Sequence, residues 1–183
     1  MNARFEQAFE TLEQKRKQLF AALKPYSDDL LNTKPTPEAW SVNEVVAHVL
    51  MAEEASLKYL QKKTLDTKGE KPAGFTGWRR LAMVKVLFGL PIKFKVPALV
   101  APTKSDYRLT DLENQWAGVR HQTHVLLASL SETDLNKTIW KHAIAGKMNI
   151  YQMLDFFTIH FDRHQKQIER TLQAEQKQLS QAR

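Results

Sequence analysis

The chain has 183 residues, enough for one domain with a sizeable core, so no disulfide or structural metal is needed to hold it. It has no cysteine, which excludes a disulfide scaffold, a thiolate zinc site and a cysteine nucleophile. The net charge of +7 is concentrated in one place: from Lys71 to Ser105 there are seven basic residues and no acid, and the rest of the chain is neutral. No basic stripe interleaved with aromatics or docking motif marks the body of the chain, so nucleic acid is not an expected partner. No segment reaches the roughly 18 apolar residues of a membrane span, and the N-terminus has no apolar signal region. A cytoplasmic protein is expected.

Four long helical patterns follow in chain order. The first runs from about Ala3 to Lys24, with Phe5, Phe9, Leu12, Leu19 and Leu23 at mostly three- and four-residue spacing, and Pro25 ends it. The second starts at Ser41, where Ser41 and Glu44 form a capping box and Trp40 serves as a hydrophobic staple; it should reach about Lys63. The third is expected to start at Thr110, with a second box between Thr110 and Glu113, and to bury Leu112, Trp116, Val119, Thr123, Leu126, Leu127 and Leu130. The fourth starts near Asn149, paired with Gln152. It buries Ile150, Leu154, Phe157, Phe161, His164, Ile168 and Leu172, then frays into a Gln- and Lys-rich tail.

The connection between the second and third patterns is far longer than usual. Such a crossover lets the middle helices run parallel. The expected architecture is therefore all-α: an up-down-down-up four-helix bundle, one domain over 1–183, with a basic apolar insert at about 71–105. Within the insert, Trp78 to Leu90 reads as a short amphipathic helix. It would pack over the bundle and close a pocket mouth, steer an acidic substrate, or touch an anionic membrane. Residues 138–145, with Ile139 and Trp140, read as a short strand or an irregular loop.

Six histidines occur, and their settings differ. His160 and His164 are four apart and project about 40° from one another, on the buried face of the fourth helix. Two imidazoles on an apolar face each need a hydrogen-bond partner or a metal. His48 is the candidate third ligand; it shares a stripe with Val45, Ala52, Ala55 and Tyr59, where the alanines leave room beside the ring. Three neutral imidazoles around a divalent ion would leave positions open for water or substrate. The plainer reading is a packed histidine pair. His121 and His124 read as a solvated face, and His142 sits in a connection.

Glu44 precedes His48 by one turn and Gln167 lies within about 20° of His160, so both are candidate partners that orient the rings. Glu44 and Trp40 are most simply cap and staple. Arg163 points to a flank, where a structural ion pair is expected. Asp155 and Asp162 read as surface residues, and Tyr59 and Tyr151 as weak candidates for proton donation. No catalytic residue, nucleophilic triad, phosphate loop or paired-carboxylate motif is legible.

Ala39-Trp40-Ser41-Val42-Asn43-Glu44-Val45-Val46-Ala47-His48 and His160-Phe161-Asp162-Arg163-His164-Gln165-Lys166-Gln167-Ile168 resemble the second- and fourth-helix signatures of the DinB/YfiT-like family of metalloenzymes. The resemblance covers nearly the whole chain. It implies a four-helix bundle with a divalent metal, such as zinc, nickel or iron, held by His48, His160 and His164. It also implies a small-molecule substrate and, in some relatives, a low-molecular-weight thiol used for transfer or isomerisation; others are regarded as hydrolases. A homodimer is the assembly to expect of such a bundle. The basic insert departs from a compact family member and leaves the substrate open. The rival reading is a non-catalytic metal- or ligand-binding bundle, with an acidic partner recruited by the insert.

Overall fold

A computed structural model of the chain describes residues 2–90, 96–142 and 145–181. It is mostly helical. Helix α1 is Ala3–Leu23, α2 Asp28–Asn32, α3 Val42–Lys63, α4 Phe75–Gly89, α5 Leu109–Ala128, α6 Glu132–Asn136 and α7 Ile150–Gln181. A short 3-10 turn, Ala98–Val100, lies between α4 and α5. Strands β1 (Trp140–His142) and β2 (Gly146–Met148) pair antiparallel, with Trp140 opposite Met148 and His142 opposite Gly146.

Three of the four long helices start where local chemistry satisfies their free amides. Asn2 caps α1 by accepting from the Arg4 and Phe5 amides. Ser41 and Glu44 close the expected box on α3. At α7, Asn149 Oδ1 accepts from the Gln152 amide at 2.8 Å while Gln152 Oε1 accepts from Asn149 at 3.1 Å. The box expected at Thr110 does not form. Helix α5 begins at Leu109, with Arg108 at the cap position and no side-chain cap bond from it. The Leu109 amide instead donates to Asp28 Oδ1 at 2.9 Å, a partner supplied by α2. With the start displaced, Thr110 falls inside the first turn.

Two apolar clusters build the core. One joins Phe20, Val45, Leu57, Leu112, Trp116, Phe161 and Ile168, from α1, α3, α5 and α7. The other joins Phe5, Phe9, Leu60, Val84, Trp140, Met148, Met153 and Phe157, and so adds α4 and the hairpin. Between them lies a buried charge network. Arg120 donates through Nε to Glu53 Oε2 and through Nη2 to Oε1 at 2.6 Å, and Trp116 Nε1 donates to Glu53 Oε2 at 2.9 Å. Removing one partner of such a pair costs about 3–5 kcal/mol, because the other charge stays buried alone.

The crossover is a built layer, although Lys93 and Lys95 of its basic run lie outside the described residues. Its entry is stitched to the chain after α6: Ala73 N–H donates to Asn136 O and Thr138 N–H to Lys71 O, both at 2.9 Å. Leu81, Val84 and Phe88 of α4 then pack on the second core cluster. Gly77 permits the close approach of α4 to α7, since a Cβ there would lie 2.6 Å from Gln152 Nε2. Gly146 opens β2 at a φ of +77°, which a side chain would strain. Residues 138–145 were expected as a strand or an irregular loop; they contain β1, and 143–144 lie outside the described residues. Helix α7 extends through the Gln- and Lys-rich segment to Gln181.

Candidate metal centre

Three imidazoles meet between α3 and α7. The apolar stripe of α3 turns His48 inward, and the four-residue spacing of His160 and His164 stacks their rings one turn apart on α7. The ring centroids are 5.2 Å apart for His48 and His160, 4.8 Å for His48 and His164, and 4.5 Å for His160 and His164. One ligand nitrogen from each lies within 4.8 Å of the others. The three residues are only 5, 7 and 9 % exposed.

Burial sets their charge. It is the largest cause holding His48 below the ordinary histidine value, opposed by its bond to the Val100 backbone. Burial holds His160 well below that value, and the neighbouring histidines add to the effect. For His164 burial and then His48 lower the value to about 3, while Gln167 opposes them. Neutral imidazoles result, and a neutral imidazole has a lone pair to offer.

The hydrogen bonds decide which nitrogen offers it. His48 Nδ1–H donates to the Val100 carbonyl at 2.7 Å, which leaves Nε2 as the lone-pair nitrogen. His164 Nδ1–H donates to Gln167 Oε1 at 3.1 Å, with the same consequence. A set of buried, neutral imidazole nitrogens, two of them with the tautomer fixed by a hydrogen bond, fits a divalent transition metal.

The candidate partners come out differently from expectation. Glu44 does not orient His48. Its carboxylate accepts from the Ser41 amide at 2.9 Å and pairs with Lys34 at 2.9 Å. The place expected for it is taken by the Val100 carbonyl, delivered by the crossover. Gln167 does hold a ring, but that of His164 rather than His160, because a side chain three residues ahead reaches the ring on the preceding turn.

Aromatic rings wall the centre. Trp40, expected as a staple, is half-buried and its ring lies 5.1 Å from that of His48. Phe156 stacks on His160 at 5.5 Å, and Phe88 of α4 lies 6.1 Å from it. His142 stands one ring further out, 4.4 Å from Phe156, with Nδ1 accepting the Ala145 amide at 3.0 Å. The crossover therefore reaches the centre twice, through Phe88 and through Val100. The sequence marks neither contact: Phe88 reads as one apolar residue among several, and every residue has a carbonyl.

Other candidates sit elsewhere. Arg163, expected in an ion pair, donates through Nη1 to the Phe88 and Leu90 carbonyls at 2.6 and 3.2 Å, and so ties down the end of α4. Asp162 pairs with Lys15 at 2.6 Å. The Tyr151 hydroxyl donates to Glu132 and accepts from Asn2, and burial pushes it up to about 12. His121 is exposed as expected. His124 is half-buried instead, bonded to Glu6 at 2.8 Å and packed against Phe5 and Phe9.

A mostly helical chain that gathers three buried, neutral imidazoles has the makings of a metal-binding protein. The comparisons give the family: a sequence model of the DinB superfamily matches residues 11–168, and the chain belongs to that superfamily. It is 27% identical over 150 residues to the uncharacterized protein YuaE of Bacillus subtilis (strain 168), covering 80% of this chain and 85% of that one. It is 28% identical over 153 residues to a protein of Geobacillus kaustophilus (strain HTA426) named "Putative metal-dependent hydrolase GK0616", covering 82% and 74% respectively.

Proposed function

We propose that the chain is a metal-dependent enzyme acting on a small molecule, with His48, His160 and His164 as the ligands of one divalent ion, zinc, nickel or iron. The observation that carries this reading is the convergence of one ligand nitrogen from each of three buried histidines within 4.8 Å of one another. The name of the Geobacillus relative supports it. A bound ion of this kind supplies Lewis acidity to a water or a low-molecular-weight thiol, for hydrolysis or thiol transfer. The chain's own residues prepare that chemistry. Val100 and Gln167 fix two tautomers and ring orientations. Trp40, Phe88 and Phe156 exclude water from the flanks. In this reading α1, α3, α5 and α7 form an up-down-down-up bundle, one domain over 1–183, with the crossover as its cover.

The test begins with protein purified without an affinity tag. Metal analysis should find about one divalent ion per chain, and His164→Ala should lose it. Screens of ester, amide and thiol-transfer substrates should then find turnover that chelation removes and metal restores. A metal-free native protein whose added-metal affinity is unchanged by His164→Ala overturns the reading. Metal binding with no turnover in any screen leaves a binding protein, not an enzyme.

A further inference from the structure

We propose that the outer face of α4, with the cationic cleft beside it, docks the protein on an anionic membrane surface. This inference is independent of the metal centre. Helix α4 buries one side, through Leu81, Val84 and Phe88. Its other side would ordinarily be polar. Here Met83, Val86 and the C-cap residue Leu90 are each between 44 and 64 % exposed, and Trp78, towards the flank, is 61 % exposed. At about 100° per residue, Met83, Val86 and Leu90 project within about 60° of each other, with Arg79 among them. Large apolar side chains gathered on one exposed helix face call for an occupant.

Charge selects the occupant. Helix α4 carries three bases, Arg79, Arg80 and Lys85, and no acid. At the end of the apolar face, Leu90 and Lys85 line a cleft of about 330 Å³ together with Arg163, Lys166 and Arg170 of α7. The one acid lining it, Asp162, is paired with Lys15 at 2.6 Å. Asp155 of α7 also lies within the field of Lys85. A second copy of the chain would set like charge against like across a two-fold axis, which disfavours a symmetric dimer through this face. A membrane surface rich in acidic lipids satisfies both features: the apolar side chains enter the acyl boundary and the cations meet headgroup phosphates. With only 15 residues, α4 would hold weakly alone. The cations of α7 across the cleft add to it.

The proposal is tested by vesicle flotation with the full chain. Phosphatidylcholine vesicles containing about one-third phosphatidylglycerol should bind the protein at low salt, and phosphatidylcholine alone should bind it at least about tenfold less. The double variant K85E/K166E should weaken binding by about fivefold or more for each lysine replaced. Val86→Asp, at a solvent-exposed position, should weaken it about tenfold. Lys17→Glu, the same charge change as a single Lys85→Glu but on exposed α1 surface, should matter little. Equal binding to both vesicle types, no binding at low salt, or equal effects of Lys17→Glu and a single Lys85→Glu would each overturn the proposal. Heparin binding as tight as vesicle binding, with Val86→Asp without effect, would give the face to a soluble polyanion and overturn it too.

Discussion

His48 lies on a buried turn of α3, yet the atom that orients it belongs to residue 100, fifty-two positions away. The centre was legible in proportion to how local its chemistry is. A four-residue spacing on a strongly periodic helix puts His160 and His164 on one face, and the same logic brings His48 inward. The partner of His48 leaves no such mark, because a backbone carbonyl is not encoded by residue type. Glu44 had the right spacing to reach that ring, but the free amide at Ser41 and the ammonium of Lys34 claimed its carboxylate. Gln167 is the partner that mutagenesis can reach. Gln167→Ala frees the His164 ring to rotate and removes the acceptor that holds its proton on Nδ1. Metal affinity should fall about 10–100-fold in a competition titration with a chromogenic chelator, while saturating metal restores the same stoichiometry. A loss of stoichiometry at saturation would mean that Gln167 shapes the pocket itself rather than the ring.

Elements were legible where their ends carry their own chemistry. Ser41 with Glu44, and Asn149 with Gln152, satisfy free amides from within four residues, and both helices start as the sequence indicates. Helix α5 shows the opposite case. Thr110 and Glu113 have capping-box spacing, yet Asp28 reaches the Leu109 amide from α2 and fixes the start one residue before Thr110. Helix α2 was itself hidden, because five residues are too few to show a period. These two readings of the α5 start make opposite forecasts. Asp28→Ala should destabilise the fold by about 1 kcal/mol, as loss of a cap does. Thr110→Ala, on exposed first-turn surface, should stay within about 0.5 kcal/mol. Urea unfolding of both variants decides, and the reverse ranking would restore the local box.

At the scale of the whole molecule, the charged residues divide between solvated surface and a few buried positions that the sequence cannot distinguish from it. Glu53 and Arg120 look like helix-surface residues in the sequence, and only packing reveals them as a paired interior network. Glu175 is the harder case. It is 2 % exposed, and among the described residues neither carboxylate oxygen has a hydrogen-bond partner. Burial pushes its carboxyl up to about 7. The folded chain therefore keeps this proton where the unfolded chain, with an ordinary glutamate value near 4.5, has lost it. Between these values the folded state binds more protons, so stability falls as pH rises. The contribution is fully favourable below the unfolded value and fully lost above about 7. Glu175→Gln imitates the protonated form at every pH. Thermal unfolding should show the two proteins nearly equal at the acid end of this window and the variant more stable above it, by on the order of 1–3 kcal/mol. A difference that does not change with pH would mean that folding leaves the Glu175 carboxyl at its ordinary value, as well solvated as in the unfolded chain.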